Sequence, residues 1–115
     1  MDLSIQFAYD QPDLGQSQTL HRITALSQHG GQLGSMLWDT RHIRNIGVAS
    51  DQQRRGIATA MWHEGHRMAA ENRSIPKPKH SADRTAAGEA WARSVGGRLP
   101  RRLVFEGSIG EARPA

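Results

Sequence analysis

Val48-Ala-Ser-Asp-Gln-Gln-Arg-Arg-Gly-Ile-Ala-Thr-Ala-Met61 joins a short apolar run to an amphipathic segment through a basic turn that contains a glycine. Backbone amides in the first turn of a helix have no intrahelical acceptor. The helix dipole also makes that end partly positive, so an anion placed there is stabilised by roughly 0.3–1 kcal/mol. Gly56 lets the chain approach a ligand closely, and Arg54 and Arg55 add full positive charges. A diphosphate is the guest that suits such a junction.

Downstream of the turn, Ile57, Ala58, Met61, Trp62, Met68 and Ala69 recur at three- and four-residue spacings. Thr59, His63, His66 and Arg67 fall on the other side, so residues 57–72 are expected to form the main helix. Upstream, residues 43–49 read as the strand that feeds the turn. Before that, residues 19–28 and 32–38 read as two strands around His29-Gly30-Gly31, whose glycines are expected to supply positive φ. Leu3, Ile5, Phe7 and Tyr9 alternate with Ser4, Gln6 and Ala8, the period-two pattern of a first strand with one buried face. Residues 10–17, with Pro12 and Gly15, form a loop.

Beyond the main helix, Ser74-Ile-Pro-Lys-Pro-Lys79 interrupts regular structure, because proline lacks the ladder donor; any strand there must be short. Ser81 is placed to cap a second helix with Asp83 in its first turn, an inner face of Gly88, Trp91 and Val95, and a stop at Gly96-Gly97. Leu103, Val104 and Phe105 suggest a last strand over 101–107, and 108–115 reads as a tail.

Gln53-x-x-Gly56-x-Ala58, preceded by Ile46-x-Val48 and followed by an amphipathic helix, resembles the acyl-CoA pyrophosphate loop of the GNAT superfamily of Gcn5-related N-acetyltransferases, whose pattern is Gln/Arg-x-x-Gly-x-Gly/Ala. The resemblance implies a mixed, mostly antiparallel α/β sheet with two main helices in one domain over residues 1–107. The usual helices after strand one would be missing. It implies that acetyl-CoA is the acyl donor and an amine the acceptor. Gln53 would open the cofactor-binding loop, backbone amides from roughly Arg54 to Thr59 (Arg54, Arg55, Gly56, Ile57, Ala58 and Thr59) would hold the pyrophosphate, Ile46 and Val48 would pair with the pantetheine, and Arg84 and Thr85 would face the lower phosphates or adenine. An amide near Val48 would polarise the thioester carbonyl, a fixed donor aimed at developing charge.

Two of the family's side chains have no counterpart. The tyrosine that protonates the departing thiolate corresponds by spacing to Ala92, and the sole tyrosine is Tyr9. The glutamate base on strand four is also missing, since residues 43–49 hold no carboxylate. His80 is the substitute candidate, since imidazole transfers protons near neutral pH. Ser81 is either an N-cap or a proton relay. With the acceptor-side helices missing, the cleft is either open to a large acceptor or completed by a second subunit.

Composition agrees with a small domain of this kind. The chain has 115 residues, a net charge of +4 and no cysteine, which excludes disulfides, thiolate metal sites and a thiol nucleophile. Met1-Asp-Leu-Ser is acidic and polar and no apolar run approaches about 18 residues, so a cytoplasmic location without membrane contact is expected. Thirteen of the fifteen basic residues are arginine, a bias that points to a GC-rich genome of the actinobacterial or phage kind. The positive balance also admits nucleic acid as a partner, although no helix-turn-helix, zinc-finger or aromatic RNA-binding pattern is present. His63, Glu64 and His66 suggest no metal, because the histidines are three apart rather than four and lack a third ligand. Trp38, Trp62 and Trp91 read as packing groups. A degenerate relative that binds CoA without transferring the acyl group, or serves as an interaction protein, is the alternative to an enzyme.

Overall fold

The computed structural model describes residues 5–101. They divide into two compact units on either side of the Lys79–His80 peptide bond. Leu3, the proposed last strand past residue 101 and the tail lie outside the described residues.

The first unit is a four-stranded antiparallel sheet with one long helix. Its strands are β1 (Gln6–Asp10), β2 (His21–Leu26), β3 (Gln32–Trp38) and β4 (Ile43–Val48), paired in the order β1-β2-β3-β4. Residues 11–20 hold no helix, in keeping with the loop expected between the first two strands. The β2–β3 turn is closed by Gly30 N donating to Ser27 O at 2.9 Å and Ser27 N to Gly31 O at 2.8 Å. Of its two glycines only Gly30 has positive φ, at 86°.

Register explains which residues form the core. Phe7 pairs with Ala25, Tyr9 with Ile23, Ile23 with Met36 and His21 with Trp38, so these side chains share one face with Ile43 and Ile46, the partners of Trp38 and Met36. Strict alternation would put Ile43 and Ile46 on opposite faces. The register shift between Leu37 and Trp38 resolves this: Leu37 pairs with Asn45 and Trp38 with Ile43, leaving Arg44 as an extra residue. Such a bulge bends its strand and raises the local twist.

Helix α1 (Ile57–Glu71) packs on this face of the sheet and buries Ile57, Met61, Trp62 and Gly65. Gly65 is where the helix comes closest. A Cβ there would lie 2.6 Å from Pro78 Cγ, closer than real Cβ atoms come, and a tight 3.1 Å from Met36 Cε. Ile23, Met36, Trp38 and Met61 are fully buried, each stabilising the fold by about 1.5–3 kcal/mol for an aliphatic side chain of this size and more for the tryptophan.

Residues 74–79 contain no strand. Pro76 and Pro78 remove two ladder donors, and the carbonyls of the segment are used singly: Trp38 Nε1 donates to Pro76 O at 2.7 Å and Ile43 N to Lys79 O at 2.7 Å. Trp38 is therefore a packing residue with a satisfied indole.

In the second unit, α2 (Ala86–Val95) starts later than Ser81 predicts. Its N-cap is Thr85, whose hydroxyl accepts from Gly88 N at 3.0 Å. The Ser81 hydroxyl instead accepts from Asp83 N, closing a local turn ahead of the helix. Among the residues of α2 whose burial is described, Ala92 is buried, beside the half-buried Gly88, Trp91 and Val95. Gly96 (φ 83°) ends the helix and donates its amide to Ala92 O. Among the described residues no helix is long and apolar enough to cross a membrane.

Candidate functional site

The sheet delivers β4 into the basic turn. Val48 pairs with Gly34, where a Cβ would meet Gly47 O at 2.6 Å, so only glycine permits this close strand approach. Ala49 N donates to Leu33 O at 2.8 Å and extends the β3–β4 contact by one residue. A single 3-10 turn follows over Ser50–Gln52, and the Gln53 side-chain amide donates back to Val48 O at 3.3 Å.

From there the backbone takes two left-handed steps. Arg54 has φ 66° and Gly56 φ 80°. A non-glycine residue in that region costs about 1–2 kcal/mol, so the turn holds Arg54 in a conformation its own preferences oppose. Gly56 is the N-cap of α1. It offers no side-chain cap, and the first helical turn holds no acidic residue. The first α1 bond outside the capping turn is Ala60 N to Gly56 O at 2.9 Å, so the amides of Ile57 and Ala58 precede it. Ile57, 1% exposed, anchors the helix start in the core.

Gln53, Arg54 and Arg55 are exposed, and among the described residues neither Arg54 nor Arg55 has an ion-pair partner. Arg22, Arg44, Arg67, Arg84 and Arg93 are all paired. Ala58 and Thr59 are half-buried in the first turn of α1. Ile46 and Val48 are half-buried on the face that α1 covers. β4 is the last strand of the sheet, and among the described residues its outer edge takes one backbone hydrogen bond, the one from Ile43 to Lys79. Turn and strand edge thus form one continuous arrangement in the first unit.

The remaining sequence candidates lie in the second unit. His80 is 3% exposed, its Nε2 donates to Gly96 O at 2.8 Å, and its ring stands edge-on to Trp91 at 5.5 Å. Since a carbonyl only accepts, Nε2 carries a proton in this arrangement and a base role falls to Nδ1. Arg84 donates to Glu89 Oε1 at 2.8 Å, to Pro100 O at 2.8 Å and to Ser81 O. Its side chain is 7% exposed, so the guanidinium is built into the unit. The neighbouring arginine and Arg93 hold the Glu89 carboxyl below its ordinary range, the Arg84 hydrogen bond being the larger cause.

One cluster escaped the reading of the sequence. His21, 2% exposed, and Asp39, 1% exposed, lie where β2 begins and β3 ends. Tyr9 Oη and His21 Nδ1 are 2.6 Å apart, and Gln11 donates to the same hydroxyl at 3.1 Å. The His21 ring lies 5.6 Å from Trp38 and 6.0 Å from Tyr9. Burial pushes the His21 pKa down, opposed by the nearby Asp39 charge, so the ring is held neutral. Burial would raise the Asp39 carboxyl, but the His42 amide, the Arg44 guanidinium and the Arg41 amide outweigh it and hold the group below the usual carboxylate range. The available signal was a polar residue at an inward strand position, His21 before Ile23 and Ala25.

His63 is exposed, whereas His66, expected on the solvated side, is half-buried and lies 4.4 Å from the Trp62 ring. Among the described residues no group of three or more histidines or carboxylates is placed to hold a metal ion. Comparison with protein-family models, curated proteins and solved structures finds no match.

Proposed function

We propose that this chain is a small GNAT-like acyltransferase that binds acetyl-CoA at the turn between β4 and α1 and passes the acetyl group directly to an amine. The observation that carries the proposal is the start of α1: two left-handed residues, no side-chain cap, no acid in the first turn and two exposed arginines without an ion pair among the described residues. First-turn amides of a helix lack intrahelical acceptors, and turns that alternate right- and left-handed residues make nests for phosphate oxygens. The residues present therefore fit the diphosphate of a CoA thioester.

Acetyl-CoA supplies an acyl group already activated as a thioester. The amides from about Arg54 to Thr59 and the guanidiniums of Arg54 and Arg55 hold its diphosphate. The edge of β4 from Ile46 to Val48 aligns the pantetheine, and a backbone amide near Val48 stabilises negative charge on the carbonyl oxygen. The amine nitrogen bonds to the acyl carbon, the carbon–sulfur bond breaks, and the nitrogen's surplus proton leaves to water as the thiolate departs. No side-chain acid is needed for this sequence.

A second reading, CoA binding without transfer, is favoured by one observation. Tyr9, the chain's sole tyrosine, is hydrogen-bonded to His21, whose β3 partner is Trp38, at the end of the sheet opposite Val48. Thermal melts with CoA and with pantetheine test the site. CoA should raise Tm, pantetheine should not, and Gly56→Glu should abolish the rise. Identical melts with and without CoA would remove both readings. Acetyl transfer to a panel of amines then separates enzyme from binder.

A further inference from the structure

At the other end of α1 a concave site opens. His66, Ala69, Ala70 and Arg73 line one side of a cleft of ≈ 310 Å³, and Ile75 and Lys77, on the segment that returns from the helix, line the other. The volume lies at the small end of the range for ligand sites. Ala69, Ala70 and the buried Ile75 give it an apolar floor, and no acidic residue lines it.

Its charge is uncompensated from within. Arg73 and Lys77 are exposed, and among the described residues neither has an ion-pair partner. Glu71, the nearest carboxylate in sequence, is held by Arg67 at 3.0 Å, and Glu64 is held by the same guanidinium at 2.6 Å. Arg67 thus draws both carboxylates along the helix surface and leaves the cleft's cations unneutralised. The negative end of the α1 dipole lies nearby, but it is a fraction of one charge against two full cations, and one of its carbonyls, that of Met68, is capped by the Asn72 amide at 2.9 Å.

We infer that this cleft binds a small organic anion, an anionic head paired with Arg73 and Lys77 and a short apolar body lying on Ala69, Ala70 and Ile75. The inference is independent of the diphosphate site, which lies at the opposite end of the helix. Two probes, hexanoate and phenyl phosphate, distinguish a carboxylate from a phosphate head, and hexanol serves as the uncharged control.

The test is a titration followed by amide chemical shifts of Ala69, Ala70 and Arg73. At least one anion should give saturable shifts at these positions while hexanol gives none. Arg73→Ala combined with Lys77→Ala should weaken binding by about tenfold or more, the size expected for loss of a charge-assisted hydrogen bond. Ala70→Leu, on an exposed helix position, should lower affinity for the same probe by crowding the floor. The inference is overturned if neither anion saturates, if hexanol binds as well as the anions, or if the double variant binds undiminished with its helix content intact.

Discussion

At the start of α2, Thr85 accepts a hydrogen bond from the Gly88 amide and Glu89 stands in the first turn, tied to Arg84 and Arg93. At the start of α1, Gly56 has no side chain to accept one and the first turn holds no acid, while Arg54 and Arg55 add positive charge to an end that is already positive. Both helices face the same problem, amides without intrahelical acceptors. One solves it internally. The other has neither a side-chain cap nor an acid in its first turn, and the proposed diphosphate site rests on that asymmetry.

The largest expected effect comes from supplying that partner. With CoA at about a hundredfold excess over its Kd, linkage stabilises the fold by about 2.7 kcal/mol, and each kcal/mol raises Tm by about 4–8 °C in a domain of this size. Gly56→Glu should erase the rise by placing a carboxylate where the diphosphate would sit, and a melt with the ligand checks this. If the rise survives, the contrast between the two helix starts has no functional meaning.

Removing the internal solution should cost less. Thr85→Ala should destabilise α2 by about 1 kcal/mol and Thr85→Gly by a few tenths, as measured by denaturant unfolding of each variant. Arg54→Gly should have the opposite sign for stability, a gain of up to about 1 kcal/mol from relief of the left-handed strain, while CoA affinity falls two- to fivefold with the lost charge. Stability and binding moving apart in one variant would be hard to reconcile with a purely structural turn.

The smallest effect is in pH. The folded-state Glu89 carboxyl is depressed, so its contribution is fully present above the unfolded value, about 4.5, and is lost as pH falls through the lower folded value. Amide shifts of α2 should therefore move in acid before those of the first turn of α1, which holds no carboxylate. Simultaneous movement of both would remove this distinction.

The four strands and α1 were legible because their burial follows simple periods: Ile23 and Ala25 at two, Ile57 and Met61 at four. The basic turn was legible because Gly56 and two arginines meet between a strand and a helix. The start of α2 was not. Ser81 and Thr85 are both competent caps, and the choice falls to Thr85 because Ser81 uses its hydroxyl on Asp83 and its carbonyl on Arg84. His21 and Asp39 were hidden for another reason. Their burial is tolerable only because Tyr9, Arg44 and nearby amides satisfy them, and those partners are fixed by strand register. The cleft beside Arg73 depends on where the proline-bearing segment returns, which no local pattern encodes.

The extra residue in β4 has a consequence for engineering. Deleting Arg44 would leave Ile43-Asn45-Ile46 in ordinary alternation, with Ile43 still opposite Trp38 and Ile46 still opposite Met36, at the loss of one ion pair to Asp39. The strand would be straightened without being unpaired, and its exit toward the arginines would be aimed differently. A one-residue deletion can thus uncouple the architecture of this chain from the direction in which it presents its turn.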